Sequence, residues 1–567
     1  RKLILSIDVG TTFTAASFCL LQPGSVPKLQ DATSDAKIPS VLYYDQHGNA
    51  KAFGAETEDI ETIVRAEDDG WQKVIWWKLH LRPQHLPIIR DLELPPIPTN
   101  LSVDKVFADH FRYVKEQVRA YICSSYGSVG NIWEKLSPTM CVILTTPNGW
   151  EGFQQNRMRQ AAIEAGLVDS DGGRRVRFVT EAEAAFLYTA YSGNIEDWLV
   201  KGSHLIVCDC GGGTVDITGY KVISANPTLK LEESAASRCA DYYYAPAYFQ
   251  LERLRGTKWC GEADIQRITD HFDCHAKKTF EGHSPGYVEL PGDYVMTSRV
   301  REIKNGRLKI TVAEMASFFE APLQEIKRGI EIAIENGGRL ADKVILVGGL
   351  ASSPYVYSKL VAWGKGFHVS VIRPDGPTVK AVSNGALVWH LDDIVGSRIS
   401  KYHYGTNVQA PYDACSAEHR VYVGQKFLEV DGQYYVDRVW DCIVEKDAKI
   451  QASKEFAEPF KKIMREDSKQ FAVQETIYAY RGQVPPTFLN LPDKNTLQPG
   501  FEAICTVKGN LRRCFNATPT RVARSGVRLR TVTFYICLCL GGTEITARLR
   551  WKEEGKDVYG PATVTYD

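Results

Sequence analysis

Two short stretches carry residues whose types and spacing suit phosphate chemistry. The first, "IDVGTTF" (residues 7–13), and the second, "CDCGGGT" (residues 208–214), each place an aspartate at the end of an apolar run, before glycine and threonine. A tight turn containing glycine leaves backbone N–H groups accessible, and a concave array of such groups binds phosphate oxygens. The candidate phosphate-binding residues are Gly10, Thr11, Thr12 and Phe13 in the first turn and Gly211, Gly212, Gly213 and Thr214 in the second.

The aspartates that precede these turns, Asp8 and Asp209, need a cation if they lie beside phosphates. Mg²⁺ is the natural choice because it is a hard ion that takes oxygen ligands and usually keeps several waters. We therefore predict that Asp8 and Asp209 hold Mg²⁺ through water molecules while the two turns clamp a polyphosphate. The alternative interpretation is that both stretches are ordinary hairpins with acids at their strand ends.

A third stretch, "KVILVGGLASSP" (residues 343–354), predicts a buried strand that runs into a helix. Its paired glycines, Gly348 and Gly349, would let a flat ring or a sugar lie against the backbone, and Leu350 and Ser352 follow them. The sequence contains neither the P-loop pattern nor a usable dinucleotide-binding glycine pattern. Those two classes of nucleotide site are therefore disfavoured.

The elements that must position these residues alternate between strand and helix through residues 1–393, which predicts an α/β fold. Strands are predicted at 2–10, 13–21, 140–147, 176–180, 204–209 and 215–223, helices at 103–124, 151–167, 181–192, 235–255, 262–281 and 377–391, and a strand-helix unit at 343–363. We predict a boundary at 394–401. Residues 402–567 show short alternating segments that predict a smaller β-rich domain, interrupted by a polar helix at 455–471.

Composition narrows the classes of function. The chain has 567 residues, more than one hydrophobic core usually supports, and its 68 basic and 68 acidic residues cancel. Balanced charge gives no electrostatic reason to expect a nucleic-acid or membrane partner. No apolar run resembles a secretory segment or a membrane span, so we expect a cytoplasmic protein. Cysteines are scattered, and we expect Cys208 and Cys210 to point to opposite faces of their strand and to bind no metal together.

In the order of these motifs, the chain resembles the actin, sugar-kinase and heat-shock superfamily, and within it the seventy-kilodalton heat-shock protein family, particularly a divergent branch. The resemblance covers about residues 3–393 and fades over 401–567. It implies a two-lobed actin-like ATPase domain, with lobe I at about 1–195 plus 377–393, lobe II at about 196–376, and ATP or ADP with Mg²⁺ in the cleft. By the same resemblance, the catalytic residues are Lys78, Glu181, Asp209 and Thr214.

Each implied role has an ordinary structural alternative. Lys78, in "WWKLHL", matches the family lysine that neutralises the transferred phosphoryl group, but it could be a solvated lysine beside aromatic residues. Glu181, in "VTEAEAAFLY", matches a glutamate that orients water around Mg²⁺, but an acid is also favoured at a helix start by the helix dipole.

The sequence departs from the family where the ribose and adenine would bind. In "DCHAKKTF" (273–280), Cys274 replaces an acid, while Lys277 and Lys278 keep the expected positive charges. Leu350 and Ser352 replace a serine and an arginine. Loss of a carboxylate that would accept hydrogen bonds from ribose hydroxyls should weaken or redirect nucleotide binding. We expect adenine specificity to be less secure than phosphate binding, with ATP as the preferred ligand.

Three functions stay open from the sequence. A chaperone-type ATPase would bind unfolded polypeptide through the β-rich domain, although no helical lid is predicted and the linker gives little reason to expect a J-domain partner. A small-molecule kinase or ligase-like enzyme could use the same cleft. A nucleotide-sensing scaffold with little turnover is the third.

Overall fold

The structure is a computed structural model, and the parts of the chain that it describes are residues 1–22, 29–31, 37–83, 94–126, 132–170, 172–192, 199–211, 214–225, 229–241, 253–292, 296–298, 301–338, 341–374, 380–392, 395–429, 432–451, 454–493, 495–522, 526–540, 544–560 and 562–565. The chain divides into two compact units. Unit 1 comprises 1–150 and 157–394, and unit 2 comprises 151–156 and 395–567. Among the described residues, no helix combines the length and apolar composition that crossing a bilayer requires.

The strands of unit 1 are β1 Lys2–Val9, β2 Phe13–Leu21, β3 Leu29–Asp31, β4 Ile38–Pro39, β5 Leu42–Tyr44, β6 Ala50–Phe53, β7 Gln72–Val74, β8 Cys141–Thr146, β9 Val176–Thr180, β10 His204–Cys210, β11 Thr214–Ser224, β12 Lys230–Asp241, β13 Gly286–Glu289, β14 Ile303–Lys304, β15 Arg307–Ile310, β16 Lys343–Val347 and β17 Ser370–Ile372. The α-helices of the chain are α1 Ile60–Asp68, α2 Val103–Tyr126, α3 Ile132–Leu136, α4 Gly152–Glu164, α5 Glu181–Ser192, α6 Glu262–His271, α7 Lys277–Thr279, α8 Val312–Asn336, α9 Pro354–Gly366, α10 Ala381–Asp392, α11 Ala417–Val421 and α12 Arg512–Ala517.

Unit 1 contains the same sheet arrangement twice. In one sheet the order is β2-β1-β8-β9, where β1 and β2 form an antiparallel hairpin and β8 and β9 add in parallel. In the other the order is β11-β10-β16-β17, again an antiparallel hairpin followed by two parallel strands. The two sequence motifs that motivated the phosphate hypothesis are therefore the turns of two equivalent hairpins.

The helix that follows each copy packs against its counterpart. Helix α5 follows β9 and α10 follows β17, and they approach so closely that a Cβ on Gly385 would lie 1.6 Å from the Ala184 carbonyl oxygen. Only glycine permits backbones to meet at this distance. Each sheet also has its own apolar core, one containing Ile7, Phe18 and Phe107 and the other Cys208, Phe319 and Leu346.

Unit 2 is built mainly from two sheets. Its strands are β18 Val395–Ile399, β19 His403–Pro411, β20 Lys426–Leu428, β21 Tyr434–Val444, β22 Lys449–Gln451, β23 Glu455–Arg465, β24 Ala472–Tyr480, β25 Phe501–Asn510, β26 Thr520–Val522, β27 Arg528–Cys539, β28 Thr546–Glu553, β29 Lys556–Gly560 and β30 Ala562–Thr565. The strand orders are β20-β21-β19-β24-β25-β30 and β23-β27-β28-β29, with β26 also paired to β27. Both sheets contribute to one core, for example through Ile477 and Val507 from the first and Val532 and Leu549 from the second. The predicted fold class, an actin-like α/β domain followed by a smaller β-rich one, is confirmed.

Two of the predicted helices are wrong. Residues 235–241, which begin the predicted helix 235–255, belong to β12, which pairs antiparallel with β11, and residues 242–252 lie outside the described part. Residues 455–465, which begin the predicted helix 455–471, form β23 and pair with β27 along its whole length. Pro459 explains the second result, because proline disfavours a helix interior but is accepted in a strand at a sheet edge.

Candidate functional site

The first turn joins β1 to β2 and is closed by a hydrogen bond from Gly10 N to Phe13 O, 3.0 Å long. A Cβ on Gly10 would lie 2.4 Å from that same oxygen, so the turn requires glycine. Thr11 is half-buried, whereas Thr12 and Phe13 are exposed. The turn is therefore an accessible stretch of backbone at the tip of an otherwise buried hairpin.

The second turn repeats this geometry between β10 and β11. Gly211 N donates to Thr214 O at 2.9 Å, as Gly10 N does to Phe13 O. Thr214 is buried where β11 begins. Gly212 and Gly213 lie outside the described residues, so their predicted contacts with phosphate stay predictions.

The third stretch abuts the second turn. Gly348 follows β16, has φ +89°, and leaves no room for a side chain beside Asp209 and Cys210. Gly349 is exposed, and Ser352, also exposed, donates to the Gly349 carbonyl at 2.6 Å. Leu350, unlike Gly349 and Ser352, is buried, and it lies in the apolar core that contains Leu346.

Carboxyl groups from four elements converge between the two hairpins. Asp8 is the penultimate residue of β1 and accepts a hydrogen bond from Thr145 Oγ1 at 2.7 Å. Glu181 begins α5, and Asp209 and Asp216 stand opposite each other on β10 and β11. All four acids are buried. We call Asp8, Glu181, Asp209 and Asp216 the acid cluster.

Burial and mutual repulsion disfavour ionisation in the acid cluster. Burial raises the pKa of Asp209 well above its ordinary value, and the charges of Glu181, Asp216 and Asp8 raise it further. Burial and the charge of Glu181 raise the pKa of Asp216 to about 7, although a hydrogen bond from Asn148 N at 2.6 Å opposes the rise. Burial likewise raises the pKa of Glu181. A cation bound here would relieve this repulsion.

Lys78 is the buried cation beside the acid cluster. Its Nζ lies 2.6 Å from Glu181 Oε1 and 5.4 Å from the centre of the Trp150 ring. Burial alone would lower the pKa of Lys78, but the carboxylates of Glu181, Asp8 and Asp216 outweigh it, so the pKa is raised. Lys78 therefore stays charged at neutral pH. A solvated lysine, the alternative raised from the sequence, does not describe a side chain that is 3% exposed.

The donor set of the acid cluster fits a hard divalent cation. Glu181, Asp8 and Asp216 act on Lys78, and Asp209 acts on the other acids of the cluster. Lys37 is a weaker positive charge, so the four carboxyl groups outnumber the cations around them. Within the described part of the chain, no three His, Cys, Asp or Glu side chains are arranged as direct ligands of one metal ion. Coordination of Mg²⁺ by Asp8 and Asp209 through water molecules stays a prediction.

The lysines predicted to contact the nucleotide lie at the end of a helical segment. Lys277 Nζ lies 3.1 Å from Asp273 Oδ1, one helical turn earlier, and Lys278 is exposed. A π-helix at Phe272–Ala276 precedes them and contains Cys274. Their roles in binding ribose or adenine stay predictions.

Sequence reasoning missed several residues of the site. Asp216 lies two residues beyond the second stretch, yet it is a full member of the acid cluster. Thr145 donates a hydrogen bond to Asp8, Asn148 donates one to Asp216, and the Trp150 ring lies beside Lys78. The signal for Asp216 is the register of the second hairpin, which pairs it with Asp209; the duplication gives none, since the equivalent partner of Asp8 is Ala15. The others reach the site only through tertiary packing.

One expectation about cysteines is wrong. Cys208 and Cys210 are two residues apart on β10, and their Sγ atoms lie 3.5 Å apart in the buried core. Residues i and i+2 of a strand share a face, so these thiols point the same way, and Asp209 between them points to the acid cluster.

Comparison with known proteins gives distant matches. No family model matches the chain. Heat shock 70 kDa protein 12B of Homo sapiens is 22% identical over 497 residues, which cover 72% of this chain and 71% of that protein. Heat shock 70 kDa protein 12A of Homo sapiens is 21% identical over 542 residues, covering 79% and 77%. Chaperone protein HscA of Enterobacter sp. (strain 638) is 25% identical over 229 residues, covering 38% and 32%. The chain thus has distant homologues in the heat-shock 70 family.

Proposed function

We propose that this distant homologue of heat-shock 70 proteins binds ATP at the acid cluster of unit 1 and hydrolyses it. The observation that carries the proposal is the convergence of two equivalent glycine turns, a third glycine at Asp209, and the Lys78–Glu181 pair. The backbone N–H groups of the turns would bind phosphate oxygens, as such arrays do in other phosphate sites.

The role of Lys78 follows from its charge and burial. A permanently charged ammonium in a water-poor site stabilises negative charge that develops on a transferred phosphoryl group. Glu181 fixes the position of that ammonium through their 2.6 Å contact. Because Glu181 is engaged in this way, Asp209 is the better placed acid to orient the attacking water. Burial raises the pKa of Asp209 well above its ordinary value, which makes it a better proton acceptor than an exposed aspartate.

Asp8 and Asp209 would hold Mg²⁺ together with the phosphates, and the ion would supply positive charge that neutralises the phosphate oxygens. Thr145 and Asn148 orient the carboxyl groups of Asp8 and Asp216 through hydrogen bonds of 2.7 Å and 2.6 Å. Such hydrogen bonds to carboxylates are what keeps a ligand set in place before the ligand arrives.

The process that ATP hydrolysis would drive is a separate proposal. The chaperone interpretation is supported by the name of one relative, "Chaperone protein HscA", and by a β-rich unit of the kind that can pair with extended peptides. A partner polypeptide would then stimulate turnover. Phosphorylation or ligation of a small molecule remains the alternative function for the same acid cluster.

The decisive experiment measures ATP binding by calorimetry and ATP hydrolysis by phosphate release. The purified chain is assayed alone, with an unfolded peptide, and with a pooled metabolite extract. We expect Mg²⁺-dependent hydrolysis that the peptide stimulates. A metabolite-dependent phosphorylated product would support the small-molecule enzyme, and binding without turnover would support a sensing scaffold. Absence of any heat at millimolar ATP with Mg²⁺ would overturn the proposal.

A further inference from the structure

Ser40 has every one of its polar groups engaged, although it lies outside the site as predicted from the sequence. It follows β4 and is 1% exposed. Its hydroxyl donates to Gly10 O at 2.8 Å, and its backbone N–H donates to Thr12 O at 2.8 Å. Its carbonyl accepts from Trp77 Nε1 at 2.9 Å. Two of these bonds hold the first turn, and the third holds the residue directly before Lys78.

The hydrogen bonds around Ser40 run in one direction, from His110 through Thr14 and Ser40 to the carbonyl of Gly10. The Ser40 hydroxyl has one proton, which it gives to the carbonyl of Gly10, so the 2.9 Å contact with Thr14 Oγ1 requires Thr14 to donate. Thr14 has then used its own proton and must accept at its 2.8 Å contact with His110 Nε2. His110 therefore carries its proton on Nε2. Its Nδ1, buried without a hydrogen-bond partner, is a bare lone pair rather than an unsatisfied donor.

Aromatic packing closes these contacts into a ring. The Trp77 ring lies 5.2 Å from the His110 ring and 4.7 Å, edge to face, from Phe107. Ser40, Thr14, His110 and Trp77 thus form a closed circuit in which each residue touches the next. The first turn is thus linked through Ser40 to Trp77, and Trp77 is covalently joined to Lys78.

We propose that Ser40 is a positioning residue that fixes the distance between the phosphate-binding amides of the first turn and the ammonium of Lys78. The inference rests on the proposed function for its catalytic consequence, but the mechanical link can be tested without nucleotide. The ligand would be a polyphosphate anion, such as the β- and γ-phosphates of a nucleotide. The first turn and Lys78 must contact this anion at the same time. Phosphoryl transfer depends on such positioning more than on covalent participation by the protein.

The first arm of the test measures amide hydrogen exchange in the nucleotide-free full chain. Ser40→Ala is compared with Ser40→Thr, which restores a hydroxyl. The matched control is Thr57→Val, which removes the hydroxyl of another 1% exposed residue that donates to a glycine carbonyl, Gly54 O at 2.6 Å. We expect Ser40→Ala to speed exchange both at residues 11–14 and at residues 77–81, Ser40→Thr to reverse much of the effect, and Thr57→Val to leave both segments unchanged. Faster exchange at 11–14 alone would overturn the proposed link.

The second arm measures ATP hydrolysis by the same variants. Because the link acts on geometry in the reacting complex, we expect Ser40→Ala to lower kcat by about tenfold or more with a smaller change in KM. Equal kcat for Ser40→Ala and wild type, with exchange accelerated in both segments, would overturn the positioning role. Failure of the wild-type chain to bind ATP would overturn the proposed function and the catalytic consequence together, whereas the exchange arm decides the link to Trp77 independently.

Discussion

Gly348 packs so closely on Asp209 that an added Cβ would lie 2.2 Å from Asp209 Oδ1 and 2.5 Å from the Cys210 carbonyl oxygen. The third glycine motif and the second acid are therefore parts of one structure, although 139 residues separate them in the sequence. The backbone of Gly348 therefore bounds one side of the space that the Asp209 carboxyl group can occupy.

Gly348→Ala should therefore damage the site more than the fold. Its left-handed φ of +89° costs an alanine roughly 1–3 kcal/mol, and the new methyl must push the Asp209 carboxyl away. We expect a lower melting temperature and loss of ATP binding by calorimetry. Gly366→Ala is the control, since nothing lies within 4 Å of its added Cβ. Unchanged ATP affinity in Gly348→Ala would contradict the assignment of Asp209.

The Lys78–Glu181 pair offers a double-mutant cycle. Lys78→Met keeps the volume of the side chain but leaves Glu181 buried among other acids, and breaking a buried pair in this way costs about 3–5 kcal/mol. Adding Glu181→Gln should recover much of that stability, because no unpaired charge remains. Hydrolysis should be lost in both variants. Chemical denaturation measures the cycle, and strictly additive losses would show that the two side chains are not coupled.

The hairpins and their turns could be predicted because their signals are local. Apolar runs that end at Asp8 and Asp209 and continue into glycine and threonine specify strand, turn and strand within about fifteen residues. The alternation of strands and helices likewise predicted the α/β class, but not the order of strands in the two sheets. Lys78 and Glu181 were identified through resemblance, and their 2.6 Å contact follows from neither stretch alone.

The remaining features depend on long-range packing. β12 contains three alanines, which favour a helix, but pairing with β11 decides its conformation. Asn148 reaches Asp216 from 68 residues away, and Ser40 meets Trp77 from 37 away. The periodicity of apolar residues in the sequence does not predict such contacts. Pro459 is a local signal against the helix predicted at 455–471, and residues 455–465 do form a strand.

Asp216→Asn should stabilise the protein at alkaline pH while impairing its activity. The folded pKa of Asp216, about 7, lies above its ordinary 3.8, so the folded state prefers the neutral form. That preference contributes stability below pH 3.8 that is lost as the pH rises to 7. An asparagine removes the loss, and we expect a gain of roughly 1–3 kcal/mol at pH 8 in Mg²⁺-free buffer, with little change at pH 4. Melting temperatures at both pH values provide the measurement.

The activity of Asp216→Asn supplies the second half of that prediction. If the acid cluster attracts a divalent cation, removing one charge should weaken Mg²⁺-dependent ATP binding even as the fold becomes more stable. Sites that bind ions commonly trade stability for function in this sense. A variant that is less stable at pH 8 and binds ATP with full affinity would contradict both halves.

His110 should make the protein sensitive to acid. Burial lowers its folded pKa from 6.5 to about 3. Between these values the unfolded chain binds a proton that the folded state does not, so the free energy of unfolding falls by about 1.4 kcal/mol for each unit that the pH drops below 6.5. The loss is complete only near pH 3. Denaturant titrations at pH 7, 6 and 5 measure this slope, to which other ionisable groups also contribute.

His110→Gln isolates the contribution of the histidine. Glutamine can donate from its amide nitrogen to Thr14 Oγ1, as His110 Nε2 does at 2.8 Å, but it cannot be protonated in this range. The variant should therefore lose stability less steeply between pH 6.5 and 5, by up to about 2 kcal/mol over that interval. Parallel slopes for the two proteins would mean that His110 takes up its second proton in the folded state as readily as in the unfolded chain. Nδ1 would then also be a donor, whereas the hydrogen bonds from Nε2 through Thr14 and Ser40 would keep their directions.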